Sequence, residues 1–326
     1  MKTVLVTGAA GFIGAHTAQA LRDRGDRVIG VDNFNDYYDV QLKRDRVKAL
    51  IPNVKIFNAD IADRKSLARV LARTPIDQIC HLAAQAGVRY SLTHPYAYES
   101  ANNLGTLNLL EWARERKIKS FIFASSSSVY GTNKKIPFSV TDPVDTPVSL
   151  YAATKRANEL AAHAYHHLYG LHCTGLRFFT VYGPWGRPDM AYFLFTKAIL
   201  EGKPIDVYNH GRMKRDFTYI TDIVGGILSA LDHNYPYEIF NLGHCDPIPL
   251  GQFISTIETV LNKKAKKRMR PIQSGDVPAT WADIKKSTRL LGFRPTTDFK
   301  KGLQTFIDWY RSYYRPTFPA VSRSGD

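Results

Sequence analysis

Cysteine is scarce in this 326-residue chain: Cys80, Cys173 and Cys245 stand far apart, each in apolar sequence. An odd number so spaced excludes a disulfide framework and reads as buried, reduced thiols. The histidines offer no zinc spacing either, because His163, His166 and His167 fall on a helix pattern with no cysteine or carboxylate at ligand distance. No run of about 18 apolar residues exists, which excludes a membrane-spanning helix. Met1-Lys2-Thr3-Val4 passes straight into a strand pattern without a signal-peptide layout, so a cytoplasmic protein is expected. Internal repeats and low-complexity segments are missing as well.

Acidic residues are the minority, 29 against 44 Lys and Arg, leaving a formal charge of +15. Such a balance suits nucleic acid, an anionic membrane or an anionic small substrate. The densest basic run, Lys263-Lys264-Ala265-Lys266-Lys267-Arg268-Met269-Arg270, closes a helix pattern (Phe253, Ile254, Ile257, Val260, Leu261). It reads as a solvated helix end and loop, and without a recognition motif no nucleic-acid partner is expected. With 44% hydrophobic residues the chain can bury the core of one large domain or two joined ones.

Short β-branched runs at residues 3–6, 28–31, 54–57, 78–82, 120–124 and 174–178 alternate with helical stretches, the pattern of βαβ units in a doubly wound, Rossmann-type α/β sheet. The clearest helix spans 149–169, with Leu150, Ala153, Ala157, Leu160, Ala161, Ala164 and Leu168 at helical spacing and Gly170 as its stop. After Tyr182 the text turns to Gly, Pro and aromatic residues (Gly183-Pro184-Trp185-Gly186-Arg187-Pro188), which marks a new layer of structure. The expected organisation is a dinucleotide-binding domain over 1–180 and a smaller α/β substrate domain, mainly 181–326. Residues 217–231 (helix) and 238–242 (strand) return to the first domain, so that 217–242 belong with it. The tail 316–326 reads as poorly ordered.

Gly8-Ala9-Ala10-Gly11-Phe12-Ile13-Gly14 follows the first strand and opens a helix, so backbone N–H groups and the positive helix end can face a pyrophosphate. The G-x-x-G-x-x-G spacing is one residue longer in its first gap than the common fingerprint. Asp32, ending the second strand, is placed to accept bonds from ribose hydroxyls and to repel a 2′-phosphate, which selects NAD over NADP. Asn33 follows it, and Asp60-Ile61 at the end of the third strand border the adenine.

Tyr and Lys four apart on a helix share a face. The chain has the spacing twice, at Tyr130/Lys134 and Tyr151/Lys155, but Gly131 and Asn133 break the first, whereas the second opens the alanine-rich helix. Tyr151 is therefore the candidate base: a lysine ammonium and an oxidised nicotinamide would both stabilise its phenolate. Ser126, Ser127 and Ser128 cluster past the fifth strand, where a doubly wound sheet binds ligands, and one of them should hydrogen-bond the reacting hydroxyl.

The set T-G-x-x-G-x-x-G, A-S-S-S-S-V-Y-G and Y-x-x-x-K resembles the extended short-chain dehydrogenase/reductase superfamily over nearly the whole chain. Asp32-Asn33-Phe34-Asn35-Asp36-Tyr37-Tyr38-Asp39, residues His81 to Ser91 and Arg177-Phe178-Phe179-Thr180-Val181-Tyr182-Gly183-Pro184 are most similar to the UDP-glucuronate 4-epimerases. That resemblance implies a triad of Ser126 (or Ser128), Tyr151 and Lys155, with Lys155 also on the nicotinamide ribose. It places Leu82, Ala83, Ala84, Gln85 and Asn102, beside Phe12 and Ile13 of the turn, along the cofactor. Thr180 stands where UDP-galactose epimerases usually carry Asn, which points to an acidic sugar. Thr180 and Arg187, with Arg89 as a third candidate that is equally a packed surface residue, are suited to its carboxylate. Arg215 and Asp276 resemble contacts to the diphosphate and the uridine ribose. The implied activity is NAD-dependent interconversion of UDP-glucuronate and UDP-galacturonate through a 4-keto sugar, in a homodimer. UDP-glucuronate decarboxylase, UDP-glucose 4-epimerase and a catalytically silent NAD sensor are the alternatives.

Overall fold

The computed structural model describes residues 1–272 and 277–314, and within them the strands and helices follow one another as the alternation predicts. The first half runs β1 (Thr3–Thr7), α1 (Phe12–Asp23), β2 (Arg27–Asp32), α2 (Val40–Leu50), β3 (Lys55–Asn58), α3 (Arg64–Leu71) and β4 (Gln78–His81). It continues with α4 (Pro95–Tyr98), α5 (Gly105–Glu115), β5 (Phe121–Ser126), α6 (Leu150–Tyr169) and β6 (Cys173–Phe178). The second half contains β7 (Thr180–Tyr182), α7 (Ala191–Leu200), β8 (Pro204–Val207), β9 (Lys214–Tyr219), α8 (Ile220–His233) and β10 (Tyr237–Leu242). After these come β11 (Pro247–Pro249), α9 (Leu250–Leu261), β12 (Lys266–Met269), β13 (Ala279–Thr280), α10 (Lys285–Leu291) and α11 (Phe299–Tyr313).

Seven parallel strands form the main sheet in the order β10-β6-β5-β4-β1-β2-β3. The chain leaves β1 toward β2 and β3, then returns to build β4, β5, β6 and β10 on the other side. Strand order thus reverses between β1 and β4, the place where open α/β sheets bind ligands at their carboxyl ends. Residues such as Leu5, Val6, Ile79, Phe121 and Phe123 are buried because helices cover both faces. One face packs α1 and α8 onto Val4, Val6, Cys80 and Ile122; the other packs α3 and α5 onto Leu5, Ile79, Phe121 and Phe123.

A second, aromatic core lies beyond it. β11, β9 and β13 pair in that order, β7 joins β9, and β8 pairs with β12. Tyr192, Phe193, Phe217, Phe253, Phe306 and Tyr310 fill the space between these small sheets and α7, α9 and α11.

Four expectations change. Residues 217–219 are strand, not the start of α8: Phe217 pairs with Thr180 across β7 and β9, and its ring stacks on Phe253 at 4.9 Å, so aromatic packing overrides a helix pattern that begins only at Ile220. The basic run is half strand, because β12 lies parallel to β8; Arg268 and Arg270 pair with Asp206 and Lys267 with Glu258. Cys80 and Cys173 are buried as expected, but Cys245 is exposed, at a residue with φ +66°. Ser125 and Ser126 belong to β5 itself, and the turn begins only at Ser127. The expected tail lies outside the described residues.

Candidate active site

The glycine turn is a matter of atoms that have nowhere else to go. Gly8 has φ +69°, and a Cβ there would lie 2.7 Å from the Ala83 nitrogen. A Cβ on Gly14 would sit 2.0 Å from the Gly8 carbonyl oxygen, and one on Gly11 2.9 Å from it. The turn therefore closes on itself and on β4 only when all three side chains are absent. Gly11 caps α1 without a side chain, so the first-turn N–H groups of Phe12, Ile13 and Gly14 are presented to the cavity these residues line. This cradle fits a dinucleotide pyrophosphate.

Asp32 is nearly buried beside it. Its carboxylate accepts from the Ala10 N–H at 3.0 Å and from the Phe34 N–H at 2.8 Å, which holds the turn and the β2 end together. Asn33 donates to Asp60 at 3.0 Å, and Asp60 also accepts from the Ala62 N–H at 2.8 Å, so a linked row of polar groups joins the ends of β2 and β3, where Asn33, Asp60 and Ile61 line the cavity. Leu82 to Gln85, next to Gly8, line the same cavity. Asn102 stands behind them and braces Gln85 in both directions, accepting from its N–H at 2.8 Å and donating to its carbonyl at 3.1 Å. Gln85 Nε2 is buried with no hydrogen-bond partner among the described residues.

The helix carrying Tyr151 and Lys155 is well specified. Ser149 accepts from the Ala152 N–H at 3.2 Å as its N-cap, and Gly170 ends it in the left-handed region. Its sheet-facing residues are not the apolar stripe but Ala152, Lys155, Asn158, Glu159 and Ala162. Lys155 Nζ donates to the Ala124 carbonyl at 2.8 Å, and burial pulls its ammonium down to about 8. Burial pushes the Tyr151 hydroxyl up, while a hydrogen bond with Ser126 and the charge of Arg187 act the other way. Of the three serines it is Ser126 that meets Tyr151; its hydroxyl also accepts from the Ser128 N–H at 3.2 Å. Tyr130, the other member of a Tyr/Lys spacing, is in a single 3-10 turn and donates to Asn241 at 2.6 Å.

Thr180 and Arg187 line the same cavity, and so does Arg89, with its guanidinium over the Tyr208 ring. Arg187 is not a lone cation. It forms a fork with Asp189, Nε to Oδ1 at 3.0 Å and Nη2 to Oδ2 at 2.5 Å. Arg215 lies outside the lining, donating to the carbonyls of Lys214 and Pro278, and Asp276 falls outside the described residues. The glycine turn, Tyr151, Arg187 and Tyr208 all line one cavity of about 1040 Å³.

Several contributors carry no local signal in the sequence. Arg46, fully buried, donates to the Ala10 carbonyl at 2.5 Å and twice to the Trp185 carbonyl, at 2.9 and 2.7 Å. It thereby clamps the loop bearing Arg187 onto the glycine turn. His81 is bonded to Thr7 at 2.7 Å and Thr106 at 3.0 Å; burial, with the Lys155 charge, pulls it to about 3, so it is a neutral brace. Glu159 is fully buried one turn beyond Lys155, held by Arg177 at 2.8 and 2.9 Å and by the Ser125 hydroxyl at 2.6 Å. Only their 3.6-residue phase relative to Tyr151 could have flagged Glu159. Among the described residues no group of His, Cys, Asp and Glu could hold a metal ion, and no helix is long and apolar enough to cross a membrane.

Residues 4–243 match the model of the NAD dependent epimerase/dehydratase family. The chain is 50% identical over 341 residues to UDP-glucuronate 4-epimerase 4 of Arabidopsis thaliana, covering 98% of this chain and 78% of that protein. It superposes on a UDP-glucuronic acid 4-epimerase of Bacillus cereus, solved with UDP-glucuronic acid and NAD, with a TM-score of 0.89 at 36% identity, covering 96% and 100% of the two chains. A Thermotoga maritima UDP-glucose 4-epimerase, solved with UDP-glucose, gives a TM-score of 0.87 at 29% identity, covering 95% and 99%.

Proposed function

The chain belongs to the NAD-dependent epimerase/dehydratase family, and from that premise we propose that it is a UDP-glucuronate 4-epimerase, interconverting UDP-glucuronate and UDP-galacturonate. The observation that carries the reading is that one cavity is lined together by the glycine cradle, by Ser126, Tyr151 and Lys155, and by Thr180 and Arg187. That set fits a dinucleotide, a reacting hydroxyl and a carboxylate held in a single site.

NAD, when bound, would supply the hydride acceptor and donor for C4 of the sugar. The protein moves the proton. Tyr151 takes it from the C4 hydroxyl, and Ser126, already bonded to Tyr151, holds the reacting oxygen. Burial alone makes phenolate formation unfavourable, so positive charge must offset it; Lys155, fixed on the Ala124 carbonyl, keeps an ammonium on that side. The cradle of Gly8, Gly11 and Gly14 with Asp32 holds the cofactor, and Thr180, Arg187 and Arg89 face the sugar. Residues 1–180 with 220–242 serve mainly the cofactor, apart from Arg89, Ser126, Tyr151 and Thr180, which reach the sugar, and the remainder serves the sugar nucleotide; the family resemblance assigns Arg215, outside the cavity lining, and Asp276 to the diphosphate and the uridine ribose.

A homodimer goes with this reading. Leu160 and Leu168 of α6 are 54% and 64% exposed, with Leu104 and Leu107 also exposed at the neighbouring α5, an apolar patch that a second copy would cover.

Purified protein mixed with UDP-glucuronate, with sugar nucleotides resolved chromatographically and carbon dioxide trapped, tests the function. UDP-galacturonate without gas is expected. A pentose product with carbon dioxide, or turnover of UDP-glucose alone, would overturn the assignment.

A further inference from the structure

The guanidinium of Arg187 offers its best carboxylate-binding edge, the Nε/Nη2 pair, to a residue of its own loop. Asp189 takes both donors at 3.0 and 2.5 Å, and its Oδ2 also accepts from the Tyr37 hydroxyl at 3.1 Å. Neither partner is hidden: the side chains are 23% and 30% exposed, and both line the cavity beside Tyr37 and Tyr151. The pairing holds Asp189 below its ordinary value and Arg187 above its own, so both are charged at neutral pH. Gly87 packs against the trio. A Cβ there would lie 2.8 Å from the Tyr37 hydroxyl and 3.8 Å from Arg187 Nη2 and from Asp189, so the wall leaves the three side chains their room.

A bidentate fork is the same geometry a uronate carboxylate would seek. Two carboxylates cannot share one fork without repulsion, and a guanidinium already neutralised gives an acidic sugar little advantage over a neutral one. Tyr37 gives Asp189 somewhere to stay: burial first, and the carboxylate beside it, push the Tyr37 hydroxyl up to about 12, so it remains a donor when the fork opens.

We propose that Asp189 is a specificity-determining residue, a resident competitor for Arg187 parked on Tyr37, whose presence restrains the preference of this site for acidic over neutral sugar nucleotides. The inference rests on the reading of the cavity as a UDP-uronate site. An aspartate there weakens ground-state binding of the acidic substrate and of its acidic product alike, and so favours release.

Holoenzyme carrying Tyr151→Phe, to suppress turnover, is titrated calorimetrically with UDP-glucuronate and, separately, UDP-glucose, with and without Asp189→Asn. Removing the competing charge should tighten UDP-glucuronate by about tenfold and leave UDP-glucose within about twofold. Asp189→Ser, which removes the fork as well as the charge, should shift the two affinities with the same signs. Unchanged or weaker UDP-glucuronate binding would mean that Asp189 only orients Arg187 and would overturn the proposal, as would equal tightening of both ligands. Conversion of UDP-glucuronate by the unaltered protein, measured separately, decides the underlying reading, so the two failures are distinguishable.

Discussion

Glu159→Ala removes the buried carboxylate that pairs with Arg177 and, at 3.1 Å, with the less buried Arg156. The carboxylate is fully buried and Arg177 nearly so, and the substitution leaves the guanidinium with the Tyr130 hydroxyl at 3.0 Å as its remaining close partner. Removing one member of a buried pair costs roughly 3–5 kcal/mol. At about 2 °C per kcal/mol for a chain of this size, the midpoint of thermal unfolding should fall by about 6–10 °C. Glu159→Leu with Arg177→Met removes both charges and should recover most of that loss. Turnover should not recover. The pair ties α6 to Ser125, the neighbour of Ser126, and to β6, two residues before Phe179 and three before Thr180. A double variant that melts normally should therefore still be about tenfold slower, ~1.4 kcal/mol at the barrier. Thermal melts and steady-state rates on the four members of this cycle provide the test; full recovery of kcat in the double variant would refute a positioning role, and a single variant with an unchanged midpoint would refute the burial argument.

Other outcomes follow from the same geometry. Gly14→Ala, with a Cβ 2.0 Å from the Gly8 oxygen, should abolish NAD retention, read as nicotinamide absorbance after gel filtration, whereas Gly225→Ala, with open space around it, should retain it. Tyr151→Phe should lower kcat by roughly two or more orders of magnitude; near-normal turnover would remove Tyr151 from the mechanism. Lys155, pulled down to about 8, should lose its ammonium as pH rises through that value, so kcat falls on the alkaline side. Lys155→Arg should move this limb to higher pH, and an unmoved limb assigns it to another group. The sign for stability is opposite: an unfolded lysine still binds its proton between about 8 and its ordinary value, so rising pH over that window favours the fold through this residue. Leu160→Lys with Leu168→Lys should shift the protein to monomer in sedimentation, and an unaltered mass would place any dimer contact elsewhere.

The sheet was legible because its strands are apolar on both faces and its first glycines have no alternative use. Tyr151 was separable from Tyr130 because Gly131, at φ +54°, cannot continue a helix comfortably with a side chain in its place. What stayed hidden depends on distant partners. Arg46 sits in Val40–Leu50, a segment crowded with Lys, Arg and Asp that reads as a solvated helix, yet it is buried because the Trp185 carbonyl, 139 residues away, needs its donors. Residues 217–219 read as helix until Phe253 supplies a ring to stack on. The apolar stripe of α6 was visible, but its direction was not: the polar residues face the sheet and Leu160 faces out, because Lys155 and Glu159 have partners on β5 and β6. Arg187 read as a candidate for the sugar carboxylate, and nothing in its spacing to Asp189 announces the fork between them.

Asp32 carries a lesson for redesign. Anyone wishing this enzyme to accept a phosphorylated dinucleotide would first remove the Asp32 carboxylate, which the proposed NAD site sets against the extra phosphate. Yet the two oxygens of that carboxylate are the acceptors for the N–H groups of Ala10 in the glycine turn and Phe34 beyond the β2 end. Erasing it unpins the turn that any dinucleotide needs, so a neutral replacement must still accept those two bonds, and cofactor preference cannot be traded without rebuilding the floor on which the cofactor rests.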